Sequence, residues 1–207
     1  NGEVGVITGE AGLGKTVAIK EYVKQNPDVI LVEVDPNCTS NTLLRAIGKK
    51  IGVPGSTNTQ GMLDEIIDKL AGTKRLIILD EAEEVEYDGL NRLRRIYDKA
   101  GIGILLIGMP RLIHNLRGRK AEYTQLYSRN TIAVQIGMLE LDDTEKLIKQ
   151  VWPDISKTLV KAFHNHCKQN AWVLKHLIFN ALKVTRSSGK ELDVDTIEKL
   201  ARYLIYR

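Results

Sequence analysis

Short runs of apolar, often β-branched residues recur from the start of the chain to about residue 136, with few polar residues inside them. Nearly continuous apolar runs are typical of parallel strands that are covered on both faces. Strands are therefore predicted over Glu3–Thr8, Val29–Val34, Arg75–Asp80, Ile102–Gly108 and Thr131–Ile136. Helical patterns lie between them, over Lys15–Gln25, Asn41–Ile51, Gln60–Ala71 and Asp88–Lys99. This alternation predicts an open α/β sheet.

The strand pattern stops near Leu139, and amphipathic helical patterns follow to the end of the chain. Leu159, Phe163 and Cys167 recur every four residues, which puts them on one helical face. Asp195 followed by Glu198 resembles a helix start signal. The change of pattern predicts two domains, an α/β core over residues 1–138 and a small helical domain over 139–207.

Composition narrows the class of protein only slightly. The 207 residues are 43% hydrophobic and 27% charged, as in globular proteins, and no apolar run approaches bilayer-spanning length. No charged-then-apolar leader is present, and Cys38 and Cys167 lie in unrelated contexts, so a reducing cytoplasm is expected. The formal net charge of +4 is compatible with a polyanionic partner without requiring one.

The stretch from Gly9 to Thr16 fits the phosphate-loop pattern G-x-x-x-x-G-K-[ST]. Glycines let successive backbone N–H groups point at a phosphate, Lys15 reaches the β- and γ-phosphates, and the Thr16 hydroxyl binds Mg²⁺. A predicted strand precedes the loop and a helix follows it, which favours this interpretation over an ordinary glycine-rich turn. The predicted nucleotide-binding residues are Gly9, Glu10, Ala11, Gly12, Leu13, Gly14, Lys15, Thr16 and Val17.

A carboxylate pair follows the third predicted strand. Asp80 could hold Mg²⁺ through its water shell, and Glu81 could polarise the attacking water as a general base. The alternative is that both residues only open a polar loop. Together with the phosphate loop, the pair predicts hydrolysis of ATP or GTP.

Several segments, in this order, resemble the AAA+ ATPases, and within them the MuB-like target-selecting ATPases of transposons and prophages. The segments are TGEAGLGKTVAIKEY, VDPNCTSNTLL, LIILDEAEEV, LNRLRRIYDKAGIGILLIGMPRL and QLYSRN. The first and third are generic to the superfamily. The run from Asp88 to Arg129 is more specific, since it matches in spacing as well as in residue type.

The resemblance implies a P-loop NTPase fold, a three-layer sandwich whose parallel sheet has the order 5-1-4-3-2, followed by a helical lid. It also implies that ATP joins subunits into a filament on duplex DNA, which is presented to a transposase. Arg129 falls where the family carries an arginine finger that reaches the neighbouring subunit's nucleotide, although a surface arginine is the alternative. Lys175 falls where many relatives have a nucleotide-sensing arginine.

The chain departs from the family pattern at two places. After the fourth strand the family usually has a polar side chain that helps to position the water, whereas this chain has Met109. Either a nearby group substitutes or hydrolysis is slow. The chain also begins at Asn1, directly before the first strand, so it is interpreted as a fragment whose nucleotide affinity is weaker than that of its parent.

Support for DNA binding from the residues themselves is weak. Basic residues that could neutralise phosphates without reading bases are Arg92, Arg95, Lys99, Arg111, Arg117, Arg119 and Lys120. The alternative is that these charges only solvate a helix face and a loop. By family position, the loop from Asp35 to Ser40 is a further candidate.

Histidine, cysteine and tryptophan residues in the C-terminal region are weaker indicators of a functional site. His164 and His166 point to different sides of a helix and cannot share a metal. His164 and Cys167 could share one, but two ligands make a poor zinc site, so core packing is favoured for Cys167 and a solvated or capping role for the histidine. Trp152 and Trp172 are expected in the core of the helical domain.

The leading hypothesis is an ATP-controlled DNA-binding protein of bacterial or phage origin, associated with the nucleoid. Its hydrolysis is expected to be slow, stimulated by DNA and a transposase, and coupled to release. The alternative is a secretion-linked or signalling AAA+ ATPase that acts on a protein partner. A metabolic kinase is disfavoured by Glu81 and Arg129.

Overall fold

The computed structural model describes residues 2–55, 58–117 and 131–204. Contacts divide the chain into two units. The first contains Asn1–Glu10 and Lys15–Ile136, and the second contains Ala11–Gly14 and Gly137–Arg207.

A five-stranded, parallel sheet forms the centre of the first unit. Its strands are β1 (Val4–Thr8), β2 (Ile30–Glu33), β3 (Leu76–Asp80), β4 (Gly103–Gly108) and β5 (Thr131–Gln135). The strands lie in the order β2-β3-β4-β1-β5, which confirms the predicted topology. In this register Thr8 pairs with Gly108, and Asp80 pairs with Ile107. The carboxyl ends of β1, β3 and β4 are therefore neighbours at one edge.

Helices cover both faces of this sheet. The helices of the first unit are α1 (Lys15–Gln25), α2 (Ser40–Ile51), α3 (Thr59–Leu70), α4 (Tyr87–Ala100) and α5 (Arg111–Arg117), with a 3₁₀ helix over Ala82–Glu84. Alternate strand residues such as Ile77 and Leu79 pack against α2, α3, α4 and α5 in the larger core cluster. Ile78 and Ile107 face the other way and pack with Ile19 of α1. The three-layer α/β fold predicted from the sequence is thus confirmed.

The second unit is helical and has its own core. It contains α6 (Leu141–Lys149), α7 (Lys157–His166), α8 (Ala171–Ser188) and α9 (Val194–Tyr203). Phe163, Cys167 and Leu174 are fully or almost fully buried there. Trp152 is partly buried and lies near Phe163, with ring centroids 6.0 Å apart. The expectation of a core position is wrong for Trp172, which is 47% exposed.

Side-chain caps set the starts of several helices. The Asn58 Oδ1 atom accepts hydrogen bonds from the N–H groups of Gln60 and Gly61, so α3 begins at Thr59. Helix α9 begins after Asp193, whose carboxylate accepts a hydrogen bond from the Thr196 N–H. The start signal predicted at Asp195 is therefore two residues too late. Among the described helices, none is long and apolar enough to cross a membrane.

Candidate nucleotide-binding site

The phosphate loop connects the end of β1 at Thr8 with the start of α1 at Lys15. Gly12 and Gly14 have φ angles of 81° and 91°, in the left-handed region that favours glycine. These two residues let the chain turn tightly enough to enter α1. The loop therefore lies at the N-terminal end of a helix, where backbone N–H groups and the helix dipole favour an anion.

Lys15 is folded against its own loop. Its Nζ atom donates to the backbone oxygens of Gly9 and Glu10, at 2.6 Å and 2.9 Å. Because a lysine ammonium has three donors, it can hold the start of the loop and still present a positive charge. This places the Lys15 charge at the loop, as its predicted role in binding phosphate requires.

Thr16 and Asp80 are brought together by the sheet. The Thr16 Oγ1 atom donates to Asp80 Oδ2 over 2.7 Å, although the two residues are 64 positions apart. Asp80 is 4% exposed, at the end of β3. A hydroxyl and a carboxylate are the oxygen ligands that Mg²⁺ prefers. The two residues predicted to bind this ion therefore fit it in chemistry and in proximity.

Glu81 follows directly in a left-handed backbone conformation, with φ 59° and ψ 38°. Its N–H donates to Asp80 Oδ1 over 3.1 Å, which ties the turn to the end of β3. Burial raises the pKa of the Glu81 carboxyl above its ordinary value, and the negative charge of Asp80 raises it further. A carboxylate that holds a proton more readily is better matched to the predicted general base.

A buried carboxylate that the sequence analysis did not single out, that of Glu83 in the 3₁₀ helix, lies against the end of β4. The Glu83 side chain is 3% exposed, and its Oε1 atom accepts a hydrogen bond from the Met109 N–H over 3.1 Å. On the other side of the same peptide group, the Gly108 oxygen accepts from the Gly9 N–H over 3.2 Å. In the sequence, the one feature that pointed to Glu83 was its position two residues after the predicted base.

The tip of the phosphate loop makes its described contacts within the second unit. The Asn170 Nδ2 atom donates to the Ala11 oxygen, and the Trp172 N–H donates to the Gly12 oxygen, each over 2.9 Å. Asn170 also caps α8, since its Oδ1 accepts from the N–H groups of Trp172 and Val173. The sequence analysis missed Asn170 and expected Trp172 in the core. Lys175 lies one turn into α8 with an exposed side chain, and its sensing role stays a prediction.

Several basic residues predicted to contact DNA have partners inside the first unit. Arg92 and Arg95 both donate to Gln60 Oε1, and Arg92 also pairs with Asp88. Arg111 forms ion pairs with Glu83 and Glu84, which offset its charge. Lys99 is exposed at the end of α4. Arg92, Arg95 and Arg111 thus have protein partners in the structure, and the DNA-binding role of the basic residues stays a prediction.

The remaining predicted positions lie beyond what is described. Arg119, Lys120 and Arg129 are outside the described residues, and only the backbone of Arg117 is described, at the end of α5. The arginine-finger and DNA-binding roles of these residues stay predictions.

His164 of α7 is hydrogen-bonded to Thr144, and Cys167, directly after α7, is buried in the core of the second unit. The Thr144 Oγ1 atom donates to the Glu140 oxygen over 3.0 Å and lies 2.9 Å from His164 Nδ1. The His164 Nδ1 atom is therefore the donor of that pair. Burial raises the pKa of the Cys167 thiol, which keeps it neutral. Within residues 2–55, 58–117 and 131–204 no group of three or more His, Cys, Asp or Glu residues could hold a metal.

Comparisons with known proteins agree with this architecture. The profile of a family described as an AAA domain matches residues 1–116, so the chain belongs to that family. The Mu-like prophage FluMu DNA transposition protein B of Haemophilus influenzae is 32% identical over 151 residues, which cover 70% of this chain and 52% of that protein. The ATP-dependent target DNA activator B of Escherichia phage Mu is 26% identical over 207 residues, which cover 97% of this chain and 66% of that protein.

These relatives confirm the resemblance to the transposition B proteins. The chain spans between 52% and 66% of their length. Among solved structures, the ADP form of the ORC2 protein of Aeropyrum pernix matches with a TM-score of 0.74 and 18% identity, covering 98% of this chain and 63% of that one. At this identity the match supports the fold alone.

Proposed function

We propose that the chain is the ATP-binding and ATP-hydrolysing part of a protein that selects target DNA for transposition. The observation that carries the proposal is the hydrogen bond of 2.7 Å between Thr16 Oγ1 and Asp80 Oδ2, directly beside the phosphate loop. It brings together a hydroxyl and a carboxylate that would hold a nucleotide-bound Mg²⁺, Thr16 directly and Asp80 through the water shell of the ion. The printed names of the phage relatives, ATP-dependent target DNA activators, supply the biological class.

Each residue of the site has a part in the proposed chemistry. The loop N–H groups and Lys15 bind the β- and γ-phosphates, and Thr16 with Asp80 would hold Mg²⁺. When bound, this ion would neutralise charge at the phosphates. Glu81 orients the attacking water and accepts its proton, and its raised pKa makes it a stronger proton acceptor. Arg129 of a neighbouring subunit completes the site by stabilising the charge of the transition state.

ATP binding controls DNA binding in this proposal. Subunits that hold ATP assemble on duplex DNA through backbone contacts that are largely independent of sequence. The assembly presents the DNA to a transposase, and hydrolysis releases the subunits. Met109, in place of the usual polar side chain after β4, fits slow turnover that rises when DNA and the partner are present.

The proposal is tested by ATP turnover and ATP binding with two substitutions. Lys15→Ala should abolish ATP binding and turnover, because the loop loses its positive charge. Glu81→Gln should bind ATP with wild-type affinity while turnover falls at least about a hundredfold, as expected on loss of a general base. Fluorescent-nucleotide titration gives the affinity, and phosphate release with and without duplex DNA gives the turnover.

Two results would count against the proposal. Normal hydrolysis by Glu81→Gln would show that the base is another group. If a protein partner stimulated turnover, while DNA neither bound to the chain nor stimulated turnover, the alternative of a signalling or secretion-linked ATPase would be favoured.

A further inference from the structure

One peptide group at the end of β4 connects the phosphate loop with the turn that carries Glu81. The Gly108 oxygen accepts a hydrogen bond from the Gly9 N–H over 3.2 Å, and the Met109 N–H donates to Glu83 Oε1 over 3.1 Å. The two bonds use the two polar ends of the same peptide. The orientation of that peptide therefore depends on both the first glycine of the phosphate loop and the Glu83 carboxylate.

Burial of the Glu83 carboxylate at this position is unfavourable in free energy. Its Oε2 atom is buried and has no hydrogen-bond partner among the described residues. An unpaired, buried carboxylate oxygen is unfavourable and rarely persists without a reason. Arg111 offers only partial compensation, since its Nε atom is 3.8 Å from Glu83 Oε1 and its guanidinium also pairs with Glu84.

The space for this carboxylate exists because residue 108 has no side chain. A Cβ atom on Gly108 would overlap Glu83 Oε2 and lie 3.0 Å from Glu83 Cδ. The glycine at the end of β4 and the buried carboxylate are thus matched in shape. Replacing the glycine by alanine would displace the carboxylate without changing its chemistry.

Glu83 is also fixed rigidly to the turn of Glu81. The two residues lie in or next to the 3₁₀ helix over Ala82–Glu84, which is closed by a hydrogen bond from the Glu84 N–H to the Glu81 oxygen. The Glu83 backbone oxygen accepts from Asn115 Nδ2 over 3.1 Å, which anchors the turn to α5. The Glu83 side chain therefore links the Gly108–Met109 peptide to an anchored turn, which also holds the proposed base.

We infer that Glu83 is a positioning residue for the proposed ATP hydrolysis, and this rests on the proposed function. It holds the Gly108–Met109 peptide between the phosphate loop and the turn of Glu81, and so sets the distance between bound phosphate and base. The Met109 side chain cannot make a polar interaction at this strand end. The hydrogen bond from the Met109 N–H to Glu83 provides one in its place. Glu83 acts through the backbone and does not itself contact the reacting atoms.

The test compares substitutions at Glu83, Gly108 and Glu84 in the full 207-residue chain with ATP, Mg²⁺ and duplex DNA. Glu83→Ala should lower kcat by about tenfold to a hundredfold, the range expected for a misplaced catalytic group. The KM and the affinity for a fluorescent ATP analogue should stay within about twofold, since the phosphate loop itself is intact. Glu83→Gln keeps an oxygen that accepts from the Met109 N–H and should retain kcat within about threefold.

Gly108→Ala provides an independent route to the same displacement. It should lower kcat as much as Glu83→Ala does, and the double substitution should be no worse than either single one. Such non-additivity is expected when both changes break the same contact. Glu84→Gln is the matched control, since it removes an adjacent carboxylate charge that pairs with Arg111 but does not contact Met109. Its kcat should equal that of the wild type.

Thermal unfolding of every variant separates loss of folding from loss of positioning. If Glu83→Ala does not fold, the Gly108→Ala and Glu83→Gln results decide the question. Wild-type kcat in both Gly108→Ala and Glu83→Ala would overturn the inference, as would a loss in Glu83→Gln as large as that in Glu83→Ala. A wild-type chain that binds no ATP or releases no phosphate would instead contradict the proposed function, and the inference with it.

Discussion

Glu81 combines two unusual properties at the level of a single residue. Its left-handed backbone is disfavoured for a residue with a side chain, by about 1–2 kcal/mol. The hydrogen bond of its N–H to Asp80 Oδ1 helps to hold it in that conformation. Strained residues of this kind concentrate at functional sites, because the surrounding structure has to hold them in place. The raised pKa of the same carboxyl agrees with a role as a base.

The pKa of Glu81 can be measured directly. In the chain without nucleotide and Mg²⁺, the Glu81 carboxyl should titrate above the ordinary glutamate value of about 4.3, because of burial and the charge of Asp80. Its protonated form is therefore favoured by folding, and ionisation is completed at a higher pH than in the unfolded chain. Addition of Mg²⁺ should move the pKa down, since a bound cation favours the carboxylate. Carbon-13 NMR of labelled glutamate carboxyls measures both effects.

Two substitutions serve as controls for that titration. Glu81→Gln identifies the signal by its disappearance. Asp80→Asn should lower the pKa of Glu81 and remove the response to Mg²⁺. A Glu81 pKa at or below the ordinary value, or one that ignores Mg²⁺ in the wild type, would contradict this description of the site.

At the level of the element, the strands and the starts of the four helices predicted in the first unit agree with the structure to within one residue. The five predicted strands agree with the observed ones to within one residue at either end, because buried parallel strands are almost continuously apolar. Helix starts depend on single capping side chains. Helix α3 begins at Thr59, one residue before the predicted start at Gln60, because Asn58 is its cap. In the second unit the start signal was predicted at Asp195, whereas the structure has Asp193 as the cap of α9.

The cap of α3 gives a prediction at this scale. Asn58→Ala should destabilise the chain by about 1 kcal/mol, because the N–H groups of Gln60 and Gly61 lose their acceptor. Asn58→Asp should restore most of that loss, since aspartate caps equally well. Urea unfolding measures both. An alanine variant as stable as the wild type would mean that the cap contributes nothing to folding.

At the level of the whole molecule, the sequence predicted the fold and the local motifs well. The phosphate loop, Asp80 and Glu81 were recognised because each lies in one short segment. The relation among Gly9, Glu83 and Gly108 could not be predicted, because it depends on where the Glu83 side chain lies and on the space left by a missing side chain at residue 108. The contacts of Arg92 and Arg95 with Gln60, and of Arg111 with Glu84, could not be predicted either, since these partners lie far apart in the sequence.

ATP-dependent binding of duplex DNA is the most direct test of the central claim. Fluorescence anisotropy with the wild-type chain at low salt should show binding with ATP, weaker binding with ADP, and little without nucleotide. Binding should be similar for unrelated sequences and should fall as salt rises, because phosphate contacts dominate. Lys15→Ala should abolish it, and Glu81→Gln should prolong it. Equal binding in all nucleotide states, or none in any state, would contradict the account.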